Sequence, residues 1–427
     1  MPENITVGLF GLGTVGSGVA ELLQKQGPEL ERKYGVNIRL KKIVVREVNK
    51  SRSLKIDHNL LSDNPRDILD DPEINTVIEV IGGVCPAREY ILEALKQGKH
   101  VITANKAVLA VDGAAIFRQA IKSQTYLGFR AAVTGFQDII QRLSSAISIR
   151  HLAGVFNGTC NYILTEMERQ QKPLEQVLAQ AQAQGYAEED PSLDIDGWDT
   201  TDKLAILCIL AFGCSIRRHD IYTEGIRRVT LEDIRFAAEL GYRIKLLGIA
   251  GFDGQKLSVR VHPCLLPHDN MLARLEGVEN GLQIDDELRG PGGFSAPGAG
   301  KYPTASAIMF DIINVATRNP VYFPRQFRQL PLQKMDELES EYYLRVNALN
   351  TPGILEKIAG VFRRHDINIM SVLQLKGIDR GRGKIIPLVI MVDRSKERNV
   401  QKAVQRIQRL EVIQGTPSLI RVQESLW

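Results

Sequence analysis

The stretch "GLFGLGTVGSGV", residues 8–19, decides the fold of the N-terminal part of this chain. It follows the apolar segment "ITVGLF" and holds Gly11, Gly13 and Gly16 in a G-x-G-x-x-G pattern that leads into helix-like apolar spacing. In a strand–turn–helix unit such glycines form a tight turn, admit a pyrophosphate and let the helix pack on the strand, and the helix N-terminus attracts phosphates. The stretch therefore predicts a dinucleotide-binding domain. The alternative is a glycine-rich turn that serves packing only.

Strand-like and helix-like segments alternate outward from this turn to about residue 133. The strand candidates are "ITVGLF", "IRLKKIVV", "TVIEVIGG", "HVITAN" and "TYLGFRAAV". This α/β alternation predicts a Rossmann-like parallel sheet with helices on both faces. Beyond residue 139 the pattern changes to long helices, "PLEQVLAQAQAQG" and "TTDKLAILCILAFG", with the strand "GQKLSVRVHPCLL". The segment "RGPGGFSAPGAGKYP" is predicted to be a long loop, of a kind that often has a function.

The C-terminal part has the predicted order strand–helix–strand–strand–helix–strand, with apolar stripes on both helices. This order predicts a ferredoxin-like module. We divide the chain into a Rossmann-like domain at 1–138, completed by about 303–325, an α+β domain at 139–318, a linker at 319–340 and the ferredoxin-like module at 341–427.

Composition excludes several classes of protein. The chain has 427 residues, 44% hydrophobic and 24% charged, with a net charge of only +4, which argues against a nucleic-acid partner. Its longest apolar run, residues 204–212, is too short to span a bilayer, and no secretory signal pattern is present. Five cysteines without a CxxC motif argue against disulfides and zinc. We expect a cytoplasmic protein with no membrane partner.

The residues after the second predicted strand bear on the choice of cofactor. This strand ends at Val45, where an acidic residue would bind the ribose 2′-hydroxyl of NAD. The chain instead has Arg46, with Lys50 and Arg52 nearby, and arginine binds phosphate in a bidentate manner. We therefore favour NADP over NAD. The neighbouring Glu47 leaves NAD as an alternative cofactor. The alternative for the basic cluster is a solvated loop without a ligand.

Two lysines and an acidic loop are candidates for chemistry. Lys106 follows the fourth predicted strand, at the sheet edge where ligands bind in open α/β folds. Lys203 lies near the start of a strongly apolar helix, where burial makes an amine a better proton donor or acceptor. Asp199 precedes it by one helical turn, so a structural ion pair is the alternative. The loop "YAEEDPSLDIDGWD" is solvated, metal-binding or ammonium-binding, and its position before Lys203 favours a substrate ammonium group.

At this point the motifs converge on one family. Over nearly its whole length the chain resembles homoserine dehydrogenase with a C-terminal ACT domain. The blocks that carry the resemblance are "VGLFGLGTVGSGV", "VIEVIGG", "GKHVITANKAVLA", "FNGTCNYILTEM", "AQAQGYAEEDPSLDIDGWDTTDKLAIL", "EGI", "ELGYRIKLL", "PGAG" and "PTAS". Another semialdehyde or amino-acid dehydrogenase on the same scaffold is the alternative, against which the block "DIDGWDTTDK" argues.

The resemblance implies an enzyme that interconverts L-aspartate 4-semialdehyde and L-homoserine with NADP or NAD, in threonine, methionine and isoleucine biosynthesis. Lys203 matches the proton donor, and Lys106 matches the lysine that contacts nicotinamide and substrate. The substrate-binding carboxylates match Glu188, Asp194 and Asp199, and we count Asp199 among the catalytic residues as well. The cofactor positions beside Gly11 and Gly16 match Leu12, Gly13, Thr14, Val15, Ile81, Gly82, Gly185 and Gly298.

The C-terminal module resembles an ACT domain at the turn "NALNTPGILEKIAGVF". The candidate effector-binding residues are Asn350, Pro352 and Gly353, because the glycine admits a close ligand and the helix N-terminus can meet its carboxylate. The resemblance implies threonine as the effector and a homodimer or homotetramer. The alternative is a dimerisation module without a ligand.

One segment departs from the family pattern. In "RAAVTGFQDII", Arg130 takes the place of a glutamate that helps to bind a monovalent cation, and Thr134, Phe136, Gln137 and Asp138 replace small, apolar and proline positions. We therefore expect no sodium or potassium site and no other metal. A dehydrogenase-like sensor that binds NADP and an amino acid without turnover is the alternative function.

Overall fold

The computed structural model describes residues 4–52, 54–133, 139–140, 143, 148–297, 300–318, 324, 326–374 and 384–424. The chain divides into two compact units. The first comprises residues 1–149, 201–221 and 294–330, and the second comprises 150–200, 222–293 and 331–427. In the described part of the chain, no helix is long and apolar enough to cross a membrane.

The described α-helices, in chain order, are α1 (Thr14–Tyr34), α2 (Arg66–Leu69), α3 (Ala87–Lys96), α4 (Lys106–Ser123), α5 (Gly158–Gln170), α6 (Leu174–Ala183), α7 (Ser192–Ile195), α8 (Trp198–Phe212), α9 (Leu231–Glu239), α10 (Lys301–Ala316), α11 (Ile354–Arg364) and α12 (Glu397–Gln408). The strands are β1 (Ile5–Phe10), β2 (Ile38–Val44), β3 (Leu61–Ser62), β4 (Thr76–Glu79), β5 (His100–Thr103), β6 (Leu127–Gly128), β7 (Ile149–Val155), β8 (Tyr222–Thr223), β9 (Tyr242–Phe252), β10 (Leu257–Pro267), β11 (Glu279–Asp286), β12 (Gly290–Pro297), β13 (Glu339–Leu349), β14 (Ile369–Leu373), β15 (Ile385–Lys396) and β16 (Ile413–Val422).

The first unit is built on a parallel sheet with the strand order β3-β2-β1-β4-β5-β6. Its central strands β1 and β4 are almost completely buried, as expected for a parallel sheet covered by helices. Helix α10, far along the sequence, packs on α1, where a Cβ added at Gly18 would lie 3.2 Å from the Ala305 Cβ. The predicted Rossmann-like α/β fold is confirmed.

The last predicted strand of this sheet is much shorter than the segment "TYLGFRAAV". Strand β6 ends at Gly128, and residues Arg130–Val133 form a 3-10 helix instead. The cause is Asp311 of α10, a fully buried carboxylate that accepts a hydrogen bond from the backbone N–H of Arg130 at 3.1 Å. The sequence could not show this contact because the two residues are 181 positions apart.

The second unit contains one long sheet with the order β12-β11-β7-β9-β10-β16-β13-β15-β14. Strand β12 corrects the prediction of a long loop over "RGPGGFSAPGAGKYP", since residues 290–297 are extended. A strand at the sheet edge tolerates glycine and proline because it pairs on one side only.

The C-terminal module has the order β13-α11-β14-β15-α12-β16, which confirms the ferredoxin-like prediction. Apolar faces of α11 and α12 pack on the sheet and bury, among others, Ile358, Phe362, Val400, Ala403 and Ile407. The module continues the main sheet of the unit. Strand β16 pairs in parallel with β10, with Cys264 opposite Arg421 and Leu265 opposite Val422.

Two buried arginines of the module bind carboxylates outside it. Arg345 of β13 donates from Nε to Asp233 at 2.7 Å and from Nη2 to the Thr230 hydroxyl at 3.0 Å, at the N-terminus of α9. Arg421 of β16 donates from Nε to Glu397 at 2.9 Å and from Nη1 to Glu224 at 2.8 Å. Removing one partner of such a buried pair leaves an uncompensated charge, so the contacts with Asp233 and Glu224 hold the module against α9 and the residues after β8.

Candidate functional site

The glycine turn has the geometry of a phosphate site. Gly11 has φ of +99°, and a Cβ there would lie 2.9 Å from the Val80 carbonyl oxygen. A Cβ at Gly16 would lie 2.2 Å from the Gly11 oxygen, so both positions require glycine. Gly13 faces open space, and α1 begins directly after it without a side-chain cap or an acidic residue in its first turn. The backbone N–H groups at the start of a helix have no partner within the helix and suit a pyrophosphate. The predicted cofactor residues from Leu12 to Val15 lie at this helix end.

A buried carboxylate organises the next two strand ends of the first unit. Glu79, the last residue of β4, accepts hydrogen bonds from the Ile81 N–H at 2.9 Å, the Thr103 hydroxyl at 2.6 Å and the Asn105 side-chain amide at 3.3 Å. Burial raises the pKa of the Glu79 carboxyl, against the opposing effect of these hydrogen bonds. The same residue therefore positions the predicted cofactor turn at Ile81 and Gly82 and the start of α4.

Lys106 begins α4, directly after Asn105. The Asn105 side chain caps this helix by accepting from the Val108 N–H at 3.3 Å, and it donates to the Gly83 carbonyl at 2.6 Å. Lys106 thus stands at the carboxyl end of β5, on a helix end whose orientation Glu79 fixes. Sequence reasoning missed Glu79 and Asn105. The signal for Glu79 was a single charged residue inside the apolar strand "TVIEVIGG".

The two arginines after β2 differ in their contacts. Arg52 donates to the backbone carbonyls of Glu47, Val48 and Lys50, so its guanidinium shapes the loop. Arg46 is exposed and has no hydrogen-bond or ion-pair partner among the described residues. Of the cluster, Arg46 is the residue with a guanidinium available for a phosphate.

In the second unit, one amide draws two of the predicted substrate-binding carboxylates together. The Asn157 side-chain N–H groups donate to Asp194 at 2.7 Å and to Asp199 at 2.8 Å. Asn157 also caps α5, since its Oδ1 accepts from the Cys160 N–H at 2.7 Å. Asp199 is only 6% exposed. Asn157 lies in "FNGTCNYILTEM", but no site role was assigned to it from the sequence.

Lys203 lies on α8, four residues after Asp199, and is only 5% exposed. The helix is apolar along most of its length and its residues from Thr200 to Leu210 are buried. The expectation that Lys203 is buried is confirmed, and its role stays a prediction.

The other predicted positions of the acidic loop are more exposed. Glu188 is exposed, and its backbone carbonyl accepts from the Gln182 side chain at 3.0 Å. Gly185 has φ of +77° and ends the turn after α6. Asp196 is bound by Arg227, which removes it from the set of available carboxylates. The structure therefore groups Asp194 with Asp199 and does not group Glu188 with them.

The Arg130 side chain belongs to a buried cluster of the first unit. Its Nη1 donates to Asp311 at 2.6 Å and to the Tyr126 hydroxyl at 3.2 Å, and Tyr126 donates to Asp311 at 2.9 Å. Burial lowers the pKa of Arg130, but the charge of Asp311 outweighs it and the net pKa is raised. Residues Thr134, Phe136, Gln137 and Asp138, and the cofactor candidate Gly298, lie outside the described residues.

The turn of the C-terminal module is open to solvent. Pro352 and Gly353 are exposed, Gly353 has φ of +82°, and α11 begins after it without a side-chain cap. Asn350 donates from its backbone N–H to the Lys384 carbonyl at 2.8 Å. These three predicted effector residues therefore stand at an uncapped helix N-terminus. Among the described residues, no cluster of three or more His, Cys, Asp and Glu side chains could hold a metal ion.

Fold and site define the class of protein: a nucleotide-dependent dehydrogenase with a C-terminal ligand-sensing module. Three family models match the chain, namely the NAD-binding domain of homoserine dehydrogenase at residues 11–129, homoserine dehydrogenase at 136–313 and the ACT domain at 342–411. The homoserine dehydrogenase of Pseudomonas aeruginosa is 36% identical over 98% of this chain and 99% of its own.

Solved structures agree. A homoserine dehydrogenase from Thiobacillus denitrificans has a TM-score of 0.90 and 37% identity, covering 99% of each chain. A hyperthermophilic archaeal homoserine dehydrogenase in complex with NADPH has a TM-score of 0.64 and 25% identity, covering 75% of this chain and 100% of that one. The chain belongs to the homoserine dehydrogenase family, and it carries an ACT domain.

Proposed function

We propose that this enzyme reduces L-aspartate 4-semialdehyde to L-homoserine with NADPH and catalyses the reverse reaction with NADP. The observation that carries the proposal is the pair of carboxylates of Asp194 and Asp199, held by Asn157 at the start of the helix that bears Lys203. Two carboxylates on one amide suit a substrate ammonium group, and a buried lysine on the same helix suits proton transfer. In this family context the substrate is an amino acid with a reactive carbonyl.

Each residue has a defined task in the proposed reaction. The nicotinamide supplies hydride transfer to the aldehyde carbon when it is bound. Lys203 donates a proton to the carbonyl oxygen as negative charge develops there, and Lys106 stabilises that charge from the end of β5. Asp194 and Asp199 bind the α-ammonium group of the substrate, and the exposed Glu188 of the same loop is proposed as a further carboxylate for it. Gly11 to Gly16, Ile81, Gly82, Gly185 and Gly298 are the proposed contacts with the cofactor.

We propose NADPH as the preferred cofactor, with Arg46 bound to the 2′-phosphate. The support is the free guanidinium of Arg46 beside an Arg52 already engaged by the loop backbone, together with the NADPH complex of the archaeal family member. The Arg46→Ala variant is expected to raise the KM for NADPH by about tenfold to hundredfold and to leave the KM for NADH unchanged. Steady-state oxidation of both cofactors with aspartate semialdehyde measures this.

The matched control for Arg46 is Lys50→Ala, which removes an exposed cation of the same loop. It is expected to leave the ratio of the two KM values within about twofold. A wild-type enzyme that prefers NADH, or an Arg46→Ala variant with an unchanged KM for NADPH, would refute the assignment.

We propose that threonine inhibits the enzyme through the turn at Asn350, Pro352 and Gly353. Contacts between the module and the acidic loop, at the end of β13 away from the turn, support a coupling of the two. Arg421 binds Glu224, and the N–H of Ile226, two residues on, donates to the Ile195 carbonyl at 2.8 Å, next to Asp194. Asn350→Ala is expected to raise the threonine concentration for half-inhibition at least tenfold with kcat unchanged.

The control for this prediction is Asn399→Ala, the same replacement on α12 of the same module. Point variants are preferable to a truncation near Gln333, since loss of β13 and β16 would expose Asp233 and Glu224 without their arginines. Equal inhibition of the wild type and Asn350→Ala by threonine would exclude the turn as the effector site.

We further propose a homodimer or homotetramer in the cytoplasm, with a place in threonine, methionine and isoleucine biosynthesis. The five free cysteines, four of them buried, suit a reducing compartment. The Arg130 cluster supports turnover without a monovalent cation, because a guanidinium already neutralises the local carboxylate.

A further inference from the structure

A cavity of about 430 Å³ lies in the second unit, where the main sheet meets the ACT module. Its floor is one face of β9 and β10, with Ile249 and Gly251 opposite Arg260 and Ser258. Its other wall is formed by the start of β13 and the end of β16. The volume lies within the range of about 300–1,000 Å³ that is usual for small-molecule sites.

Arg260 lines this cavity, and its guanidinium binds no carboxylate among the described residues. Arg260 donates from Nη1 to the Ser258 hydroxyl at 2.8 Å, its enclosed Nε has no hydrogen-bond partner, and it forms no ion pair among the described residues. Burial lowers its pKa to about 10. The other two long cations of the wall are engaged, with Lys256 bound to Glu337 at 3.2 Å and Arg394 near Glu339 at 3.9 Å.

Glu341 lines the same cavity, and its carboxylate forms no ion pair with a cation of the described residues. Glu341 of β13 is half-buried and forms no ion pair or side-chain hydrogen bond among the described residues. Burial raises its pKa, and the charges of Glu424 and Asp393 raise it further, against the smaller opposing effect of the Arg394 charge. Neither group forms an ion pair among the described residues, and burying a charge is costly unless it is paired.

Because both unpaired charges line one cavity and do not bind each other, we propose that a free α-amino acid occupies it. Its carboxylate binds Arg260 and the Ser258 hydroxyl, and its ammonium group binds Glu341. A zwitterion satisfies both groups at once, whereas an anion or a cation alone would leave one of them unpaired.

This site is distinct from the two amino-acid sites proposed above. Glu341 and Asn350 stand at opposite ends of β13, and nine residues of extended strand span about 30 Å. None of the residues that line the cavity belongs to the acidic loop or to α8. Binding here therefore depends neither on dehydrogenase turnover nor on the ACT turn.

Isothermal titration of the full-length wild type with L-alanine, L-threonine, L-methionine and L-lysine tests the proposal. The two blocked forms of each amino acid probe the two charges, since the N-acetyl derivative lacks the ammonium group and the amide lacks the carboxylate. We expect at least one free amino acid to bind, with both of its blocked forms about tenfold to hundredfold weaker.

The variants Arg260→Met and Glu341→Gln assign each charge. Arg260→Met is expected to lose the preference for the free acid over the amide, and Glu341→Gln the preference over the N-acetyl derivative. Glu341→Gln keeps the shape of a half-buried side chain, so it preserves the test if Arg260→Met fails to fold. Lys203→Ala and Asn350→Ala serve as controls for the active site and the ACT turn. Both should keep these preferences for the amino acids other than threonine, whose proposed binding at the ACT turn Asn350→Ala is expected to weaken.

Three results would overturn the proposal. They are the absence of amino-acid binding in the wild type up to about 10 mM, equal binding of free and blocked forms, and unchanged preferences in Arg260→Met and Glu341→Gln. A failure of the proposed dehydrogenase activity would leave these titrations unaffected, so the two proposals fail separately.

Discussion

Replacement of Lys203 by alanine is expected to lower kcat about 10²–10⁴-fold while NADPH still binds, because the change removes the proposed general acid of the reaction. The residue is 5% exposed and lies on α8, the helix that also carries Asp199. The acidic loop contains no lysine that could donate the proton instead. Steady-state kinetics with aspartate semialdehyde measures kcat, and fluorescence titration measures NADPH binding.

Lys99→Ala is the matched control for this prediction. Lys99 is 6% exposed in the first unit and donates to the Ile74 carbonyl at 2.8 Å, so its loss removes a buried lysine without a catalytic task. This variant should lose thermal stability but keep kcat within a few-fold of the wild type. A Lys203→Ala enzyme with near-normal turnover would refute the mechanism, and an inactive wild type would favour the sensor without turnover.

Replacement of Asp311 by alanine is expected to lower the free energy of unfolding by about 3–5 kcal/mol. The change removes the acceptor of Arg130 Nη1, the Arg130 backbone N–H and the Tyr126 hydroxyl, and it leaves a guanidinium buried without a counter-charge. The Arg130 side chain is 7% exposed and that of Asp311 is fully buried. Urea unfolding followed by circular dichroism measures the loss.

Tyr126→Phe provides the graded comparison, since it removes the two hydrogen bonds that the Tyr126 hydroxyl makes with Asp311 and Arg130 and keeps the ion pair. It is expected to cost about 1–3 kcal/mol. If Asp311→Ala unfolds within about 0.5 kcal/mol of the wild type, the cluster contributes no ion-pair stabilisation and Arg130 has another role.

The outcome for the Arg130 region shows where sequence reasoning stopped. The apolar pattern of "TYLGFRAAV" predicted a strand, and only its third and fourth residues, Leu127 and Gly128, form β6. A carboxylate 181 residues away in the sequence binds the backbone of Arg130 and ends that strand, which no local pattern can reveal. The same holds for Asn157, which joins Asp194 and Asp199 across 37 and 42 residues.

Local patterns sufficed for much of the molecule. The glycine spacing before α1 specified a phosphate-binding turn, because only glycine fits at Gly11 and Gly16. Periods of two and of 3.6 residues specified the strands and helices of the ACT module, since each element buries one face. The lysines and acidic residues of the candidate site were also recognisable by type and order.

Tertiary structure alone decided how these elements join. It paired β16 with β10, so that the ACT module extends the main sheet of the second unit. It also bound Arg345 to Asp233 of α9 and Arg421 to Glu224, which follows β8. It also enclosed Arg260 and Glu341 in one cavity without pairing them. Such contacts join residues far apart in the chain, and their energies depend on burial and distance, which sequence periodicity does not encode.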